Sequence, residues 1–288
     1  MKAPVALIIY NRPETTKRVF ESIRGYKPER LFVIADGPPD TKTREITEHI
    51  DWPCEVSRLY RDNNLGCDIN IPYGLDWVFS QVDRAIILED DCLPDPTFFT
   101  FCEELLERYK DDTGIHCISG INTQGTTEPT SYHFSRISLI HGWATWRNRW
   151  EYYDARMRAW PQLSTGGRLE KEFSFPVATY WRYKFQNLFN SDLTSWDGKW
   201  AFAGVARGAL TITPKVNLVE NIAPRKDATA KGQSMDFPLH HPKSVHYTPL
   251  YESATFKYTF GINRTFKQKL INLCKVSIAS LIPSFSSY

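Results

Sequence analysis

The sequence predicts an α/β protein with a mostly parallel sheet flanked by helices. Continuous apolar, β-prone runs at residues 5–10, 30–35 and 85–88 are typical of strands buried on both faces. Stretches with helical periodicity separate these runs, and such alternation indicates crossover connections that place successive strands in parallel. The carboxyl ends of the strands then meet at one edge of the sheet, where α/β proteins bind their ligands.

Composition narrows the class of protein further. The 288 residues are enough for a full core, and 42% hydrophobic with 24% charged residues excludes a disordered chain. The formal net charge of +2 gives no reason to expect nucleic-acid binding. The six cysteines form no C-x-x-C pair, which predicts buried free thiols in a reducing compartment. With no signal-peptide pattern and no bilayer-spanning apolar segment, the expected location is cytoplasmic.

The first half of the chain predicts its elements in a regular order. Pro13 suits the first turn of a helix that follows the first strand, and Gly25 ends that helix. The second strand, residues 30–35, runs into a polar turn that starts at Asp36. The later patterns predict helices at 41–50, around 75–79 and at 97–109, and strands at 55–60, 85–88 and 115–119. The second half of the chain adds a predicted strand at 209–213.

Three carboxylates, Glu89, Asp90 and Asp91, directly follow the strand at 85–88. Crowded carboxylates repel one another unless a cation lies between them. Hard oxygen ligands of this kind suit Mg²⁺ or Mn²⁺, which commonly bind one or two protein carboxylates together with substrate phosphates. The alternative is a solvated acidic turn, since most charged clusters are surface features.

Arg12 and Asp36 follow the first and second strands and are expected at the same sheet edge as the carboxylates. Three polar clusters that converge on one edge favour a binding site over an acidic turn. The sequence has neither a G-x-G-x-x-G fingerprint nor a P-loop. A nucleotide bound at this edge therefore depends on a metal ion and on side chains to hold its phosphates.

The motifs Y-N-R-P at 10–13, A-D-G at 35–37 and L-E-D-D at 88–91 resemble nucleotide-sugar-dependent glycosyltransferases of the GT-A (Rossmann-like) fold. The stretch 88–99 resembles the N-acetylglucosaminyltransferase I type and bacterial family-2-like (hemolytic-protein-like) glycosyltransferases. This resemblance covers about the first 125 residues. It implies metal-dependent, inverting transfer of a sugar from a nucleotide-diphosphate donor, a UDP-sugar, to a glycan or glycolipid acceptor in polysaccharide or glycolipid synthesis.

The resemblance also implies roles by position. Asp91 is expected to ligate Mn²⁺ or Mg²⁺ on the donor diphosphate, while Glu89 and Asp90 orient the ribose and the metal's waters. Asp36 is expected to hydrogen-bond the base and Arg12 to pair with phosphate. For Arg12, a surface charge at a helix start is the alternative.

A histidine-glycine-tryptophan segment opens the second half of the chain. Gly142 beside large aromatic residues indicates a close backbone approach. The resemblance implies that His141, Gly142 and Trp143 line the pocket for donor sugar and acceptor. Trp146 and Trp150 are four residues apart, so a buried helical face explains them at least as well.

Asp197 lies next to Trp196 and three residues before Trp200. A carboxylate framed by tryptophans is unusual, because removing it from water costs free energy unless it is paired or functional. The resemblance implies that Asp197 is the general base for the acceptor hydroxyl, with Trp196 in contact with substrate. The alternatives are a helix N-cap and an ion pair with Lys199.

The predicted organisation is a nucleotide-sugar-binding subdomain (1–125), an acceptor-binding and catalytic lobe (126–250) and a C-terminal helical tail (251–288). The basic stretch 225–232 stands where related enzymes carry a closing loop. The pattern at residues 265–281 is typical of a basic amphipathic helix, either on the inner membrane surface or packed on the catalytic lobe. If deletion of residues 265–288 leaves vesicle binding unchanged, the membrane role is excluded.

Two other classes of protein share an acidic sheet edge. A metal-dependent sugar nucleotidyltransferase would release pyrophosphate rather than a nucleoside diphosphate. A non-catalytic sugar-binding protein of the same fold would have no turnover that substitution of Asp91 or Asp197 could remove.

Overall fold

A computed structural model describes residues 2–37, 41–122, 129–190, 195–223 and 233–243. The described residues form ten strands and nine helices. The strands are β1 (Val5–Ile9), β2 (Arg30–Ala35), β3 (Glu55–Tyr60), β4 (Arg84–Glu89), β5 (Cys92–Pro94), β6 (Ile115–Ser119), β7 (Tyr132–Ser135), β8 (Trp143–Trp146), β9 (Leu210–Pro214) and β10 (Val219–Asn221). The helices are α1 (Pro13–Tyr26), α2 (Thr41–Glu45), α3 (Cys67–Phe79), α4 (Pro96–Arg108), α5 (Arg147–Trp150), α6 (Trp160–Thr165), α7 (Arg168–Glu172), α8 (Phe175–Asn190) and α9 (Trp196–Arg207). The predicted loop at 225–232 and tail at 251–288 lie outside the described residues.

Eight strands form one sheet in the order β3-β2-β1-β4-β8-β6-β9-β7. The β1–β2, β1–β4, β2–β3 and β6–β9 pairs are parallel. Strand β8 runs antiparallel to β4 and β6, and β7 runs antiparallel to β9. Six strands therefore share one direction, and the predicted α/β fold with a mostly parallel sheet flanked by helices is confirmed.

The carboxyl ends of β1, β2 and β4 lie side by side. Ile8 of β1 is in register with Ile34 of β2 and with Glu89 of β4. All five β1 residues are buried, as are the four central residues of β4, so the apolar runs form the middle of the sheet as predicted. The residues that follow these strands are consequently brought to a common edge.

The sheet crosses the predicted boundary between residues 125 and 126. Strand β8, from the second half, inserts between β4 and β6, and its Trp143 pairs with Ile87. The subdomains are thus not separate sheets, and their division by function stays a prediction.

Four tryptophans form an aromatic cluster in the core on one face of the sheet: Trp143, Trp150, Trp196 and Trp200. Each is less than 5% exposed, and neighbouring ring centroids are 5.1–6.3 Å apart. The expected common helical face for Trp146 and Trp150 is wrong, because Trp146 has extended backbone at the end of β8 and only Trp150 lies in α5.

The free thiols predicted for the cysteines are present at five described positions, namely Cys54, Cys67, Cys92, Cys102 and Cys117. Three of these are buried, but Cys67 is exposed and Cys54 is partly exposed, so the expectation of uniform burial is wrong. In the part of the chain that the structure describes, no helix has the length and hydrophobicity needed to span a bilayer.

Arg149 is a fully buried cation that ties α4 and β6 together. Its guanidinium donates to the carbonyl oxygens of Tyr109, Lys110, Asp112 and Ile115 at 2.9–3.2 Å. It also lies 4.5 Å from the ring centroid of Trp146. A planar fork with five N–H donors can serve these acceptors together, whereas an ammonium group cannot.

We therefore expect Arg149→Lys to destabilise the protein by about 3 kcal/mol, because buried carbonyls lose their donors. Thermal unfolding should show a Tm lower by roughly 6–12 °C. The control is Arg158→Lys, at an exposed side chain paired with Asp154 at 3.1 Å, where a change of at most about 0.5 kcal/mol is expected. Equal Tm values for the two variants would contradict this role of Arg149.

Candidate active site

The acidic turn (Glu89, Asp90 and Asp91) begins at the end of β4, and backbone pairing holds it in place on both sides. Strand β5 follows Asp91 directly and pairs with β10, while the Ile222 amide donates to the Asp91 carbonyl at 2.8 Å. Asp90 is only 6% exposed. The alternative of a solvated acidic turn is therefore wrong, because these carboxylates are held against the sheet edge.

Arg12 bridges two of the three carboxylates. Its Nη1 donates to Asp90 Oδ1 at 3.1 Å and to Asp91 Oδ2 at 2.6 Å. The Tyr10 amide donates to the other oxygen of Asp90 at 3.1 Å. Arg12 is the N-cap residue of α1, with Pro13 as the first helical residue. An unpaired surface charge at this position is thus excluded, and the predicted contact of Arg12 with phosphate stays a prediction.

Among the described residues, Arg12 is the cation that forms ion pairs with this turn. Burial, followed by repulsion from Asp91 and Asp90, raises the pKa of Glu89 to about 8. Burial also raises the pKa of Asp90 to about 6, although Arg12 opposes that change. Three carboxylates around one guanidinium, with hard oxygen donors, fit a divalent cation of the Mg²⁺ or Mn²⁺ type. Within the described ranges, no three His, Cys, Asp or Glu side chains are already arranged as a metal site.

Replacing Arg12 with methionine is expected to lower the Tm of the metal-free protein by roughly 2–6 °C, because Asp90 and Asp91 lose their partly exposed cation. Added Mn²⁺ should then raise the Tm of the variant by more than that of the unmodified protein, since the guanidinium no longer competes for Asp91. Thermal unfolding with and without Mn²⁺ measures both effects.

Arg24→Met is the matched control, because Arg24 also contacts two carboxylates, Glu21 at 2.6 Å and Asp51 at 3.2 Å, away from the acidic turn. Its Tm should fall without any change in the Mn²⁺ response. An equal Mn²⁺ response in the Arg12 variant and the unmodified protein would show that Arg12 does not occupy the cation's position.

Asp36 is buried at the end of β2, where three backbone amides donate to its carboxylate. These are the amides of Gly37 at 3.0 Å, Leu65 at 2.8 Å and Gly66 at 2.9 Å. Asp36 thus holds the loop before α3 against the sheet edge. These bonds give a structural reason for a carboxylate at this position. The predicted contact between Asp36 and a nucleotide base stays a prediction.

Asp197 lies in the first turn of α9. Ser195 is the N-cap residue, and its hydroxyl donates to Asp197 Oδ1 at 2.5 Å. The N-cap alternative for Asp197 is therefore wrong, and no ion pair joins it to Lys199 among the described residues. Asp197 also contributes to the raised pKa of Glu89, which puts the predicted base within electrostatic reach of the acidic turn.

His141 joins the same group of side chains. It is exposed, and although the surrounding protein lowers its pKa by desolvation, Asp91 and Asp197 both oppose this change. Gly142 has φ +68°, and a Cβ there would lie 2.7 Å from a methyl of Val219, so the backbone itself requires glycine.

Trp143 and Trp196 were expected to contact sugar, but the structure places both rings in the interior. Their centroids are 6.1 Å apart in the aromatic cluster, and each side chain is nearly inaccessible. Large apolar rings gain more free energy from this packing than from a half-exposed sugar platform. They support the site from behind, and this expectation of direct contact is corrected.

Sequence patterns missed two residues beside Asp197. Asp68 Oδ1 accepts a hydrogen bond from the Trp196 amide at 2.7 Å. Tyr153 stacks on Trp150 with centroids 4.8 Å apart, and its buried hydroxyl has no partner in the described parts of the chain. Burial raises the pKa of Tyr153, and Asp68 and Asp197 add to the effect. Asp68 lies in the first turn of α3, and its partner is 128 residues away along the chain, so no local sequence pattern could indicate this contact.

Fold and site together define a protein with an α/β sheet and an acidic strand edge of the kind at which α/β proteins bind their ligands. The family described as "Glycosyl transferase family 2" matches residues 5–167, which is more than half of the chain. The chain belongs to this family, and the predicted resemblance to GT-A glycosyltransferases is confirmed.

Two solved structures resemble the chain more distantly. A mannosyltransferase (PcManGT) from Pyrobaculum calidifontis, in complex with GDP-Man and Mn²⁺, shares 14% identity with a TM-score of 0.47. The match covers 79% of this chain and 59% of that one, so the chain spans less than two thirds of that enzyme. HddC from Yersinia pseudotuberculosis shares 8% identity over 51% of this chain and 77% of that one, with a TM-score of 0.33.

Proposed function

We propose that the protein transfers a sugar from a nucleotide-diphosphate donor to an acceptor hydroxyl, with inversion at the anomeric carbon. The observation that carries this proposal is that Asp197, in the first turn of α9, lies within electrostatic reach of Glu89 at the end of β4, in a chain of glycosyl transferase family 2. The acidic turn and Asp197 lie on elements far apart in sequence and have different surroundings. They therefore suit the leaving-group side and the acceptor side of a displacement reaction.

The leaving-group side is assigned to the acidic turn. Asp91 would ligate Mn²⁺ or Mg²⁺, with Glu89 and Asp90 beside it to orient the ribose and the waters of the ion. Such an ion, when bound, supplies positive charge to the departing diphosphate. Arg12 is partly exposed next to Asp91, so it can exchange its carboxylate partners for a phosphate oxygen.

The acceptor side is assigned to Asp197. Its carboxylate would take the proton of the acceptor hydroxyl while that oxygen bonds to the anomeric carbon and the bond to the diphosphate breaks. His141 lies within electrostatic reach of both Asp91 and Asp197, which suits contact with the sugar between them. Attack from the face opposite the leaving group gives inversion.

The proposed partners follow from this chemistry. We assign a UDP-sugar as donor and a glycan or glycolipid as acceptor, in polysaccharide or glycolipid synthesis at the cytoplasmic side of the membrane. Residues 265–288 are proposed to provide peripheral contact with the anionic surface.

A panel of UDP- and GDP-sugars, incubated with Mn²⁺ or with EDTA, tests the proposal by product analysis. Release of a nucleoside diphosphate that requires the metal supports a glycosyltransferase. Release of pyrophosphate from a sugar phosphate and a nucleoside triphosphate would instead identify a nucleotidyltransferase. Saturable thermal stabilisation by sugar without any turnover would identify a binding protein.

A further inference from the structure

The start of α9 is held by a residue from another helix. Helix N-termini expose amides that need acceptors, and these usually come from the side chain of the N-cap residue. The Ser195 side chain accepts no amide of the first turn, and its hydroxyl donates to Asp197 Oδ1. The first amide of the helix, that of Trp196, donates to Asp68 Oδ1 at 2.7 Å, so α3 supplies an acceptor at this end of α9.

A carboxylate suits this position electrostatically. The N-terminus of a helix carries partial positive charge, and a charge-assisted bond to it is stronger than a neutral one. Among the described parts of the chain, the other oxygen of Asp68 accepts a single long contact, from the Cys67 thiol at 3.7 Å. The short bond to α9 is therefore the principal interaction of Asp68 among the described residues.

Asp68 is itself fixed from the donor side of the site. It lies in the first turn of α3, and Gly66 is the N-cap residue of that helix. The Gly66 amide donates to Asp36 Oδ2 at 2.9 Å and to Asn64 Oδ1 at 2.8 Å. Two carboxylates thus connect the end of β2 to the first turn of α9.

The rest of α9 is anchored further along the helix, away from its first turn. Trp200 and Phe202 are buried, and His116 Nε2 lies 3.1 Å from the Trp200 carbonyl oxygen. Asp197 follows Trp196 directly, so its direction depends on the geometry of the first turn. Without an acceptor for the Trp196 amide, that turn would fray while the packed part of the helix stayed in place.

We propose that Asp68 is a positioning residue, which holds the first turn of α9 so that the Asp197 carboxylate is aimed at the acceptor hydroxyl. This inference rests on the proposed role of Asp197 as the base. Asp68 does not touch the reacting atoms in this proposal, and it acts through the backbone of α9.

The test compares three variants. Asp68→Ala removes the acceptor, whereas Asp68→Asn keeps an oxygen that can accept the same bond. Asp76→Ala is the matched control, because Asp76 lies on the same helix and accepts a bond of 2.7 Å from Trp150 Nε1 instead of from α9. Asp68→Ser replaces the alanine variant if that one does not fold.

Hydrogen exchange measured by mass spectrometry reports on the first turn of α9 without any substrate. We expect exchange in a peptide covering residues 195–201 to be roughly tenfold faster in Asp68→Ala, and close to normal in Asp68→Asn and Asp76→Ala. Unchanged exchange in Asp68→Ala would overturn the proposed cap.

Mn²⁺-dependent hydrolysis of the nucleotide sugar found in the donor panel reports on Asp197. We expect kcat to fall by roughly 10- to 100-fold in Asp68→Ala, with the donor KM within about twofold of normal. Asp68→Asn should recover most of the loss, and Asp76→Ala should lower only the Tm. If Asp197→Asn is inactive and Asp68→Ala is not impaired, the positioning role of Asp68 is wrong, while the proposed function is unaffected. If the unmodified protein hydrolyses no nucleotide sugar, the proposed function fails, and with it the assignment of Asp68 to a base.

Discussion

Replacing Asp91 with asparagine is expected to reduce turnover of a nucleotide sugar by about a thousandfold or more. The variant keeps the shape of the side chain but loses the charge that would bind the divalent ion. Stabilisation of a leaving diphosphate by a metal is worth several kcal/mol, and each 1.4 kcal/mol corresponds to a factor of ten in rate. We expect Mn²⁺ to raise the Tm of the unmodified protein, and this variant should lose that response.

Asp95→Asn is the matched control for this experiment. Asp95 lies four residues further on, but it is the N-cap residue of α4 and accepts from the Thr97 amide at 2.9 Å. Asparagine caps helices about as well as aspartate, so turnover and the Mn²⁺ response should stay near normal. A loss of activity in both variants would indicate a general effect of charge at this edge, rather than a ligand role for Asp91.

Asp197→Asn is expected to lower kcat by roughly 10²- to 10⁴-fold, the usual contribution of general acid–base catalysis. An amide cannot take the proton of the acceptor hydroxyl. Because the proposed function assigns Asp197 to the acceptor side, we expect stabilisation by Mn²⁺ and a nucleoside diphosphate to be unchanged. Steady-state kinetics and thermal unfolding, measured on the same preparation, separate these two effects.

The control is Glu170→Gln, at an acidic residue in the first turn of α7 that pairs with Arg182. It tests the loss of a carboxylate near a helix N-terminus away from the acidic turn, and its kcat should be normal. Near-normal turnover in Asp197→Asn would remove Asp197 as the base and leave the acidic turn as the only assigned part of the site.

The parallel part of the fold was predictable because its signal is local. The sequences of β1, β2 and β4 are continuous apolar runs. The helices between them form crossover connections, which make these strands parallel. The insertion of β8 between β4 and β6 was not predictable in this way. Its pairing joins segments far apart in sequence, and four residues rich in tryptophan have no distinctive period.

The site residues likewise differ in whether local sequence was enough to predict their roles. Glu89, Asp90 and Asp91 were evident because they directly follow a buried strand. The partners of Arg12 became clear only from the structure, although its place at the sheet edge was expected. Whether a tryptophan faces a ligand or the core is decided by packing between distant elements, which is why Trp143 was misassigned.

Diffraction from crystals soaked with Mn²⁺ and a nucleoside diphosphate tests the two-sided site most directly, because manganese gives an anomalous signal that locates the ion. We expect a peak beside the Asp91 carboxylate, with the diphosphate on the ion, Arg12 released from Asp91, and Asp197 across the remaining space. A nucleotide bound elsewhere, or bound at this edge with no manganese peak near Asp91, would contradict it.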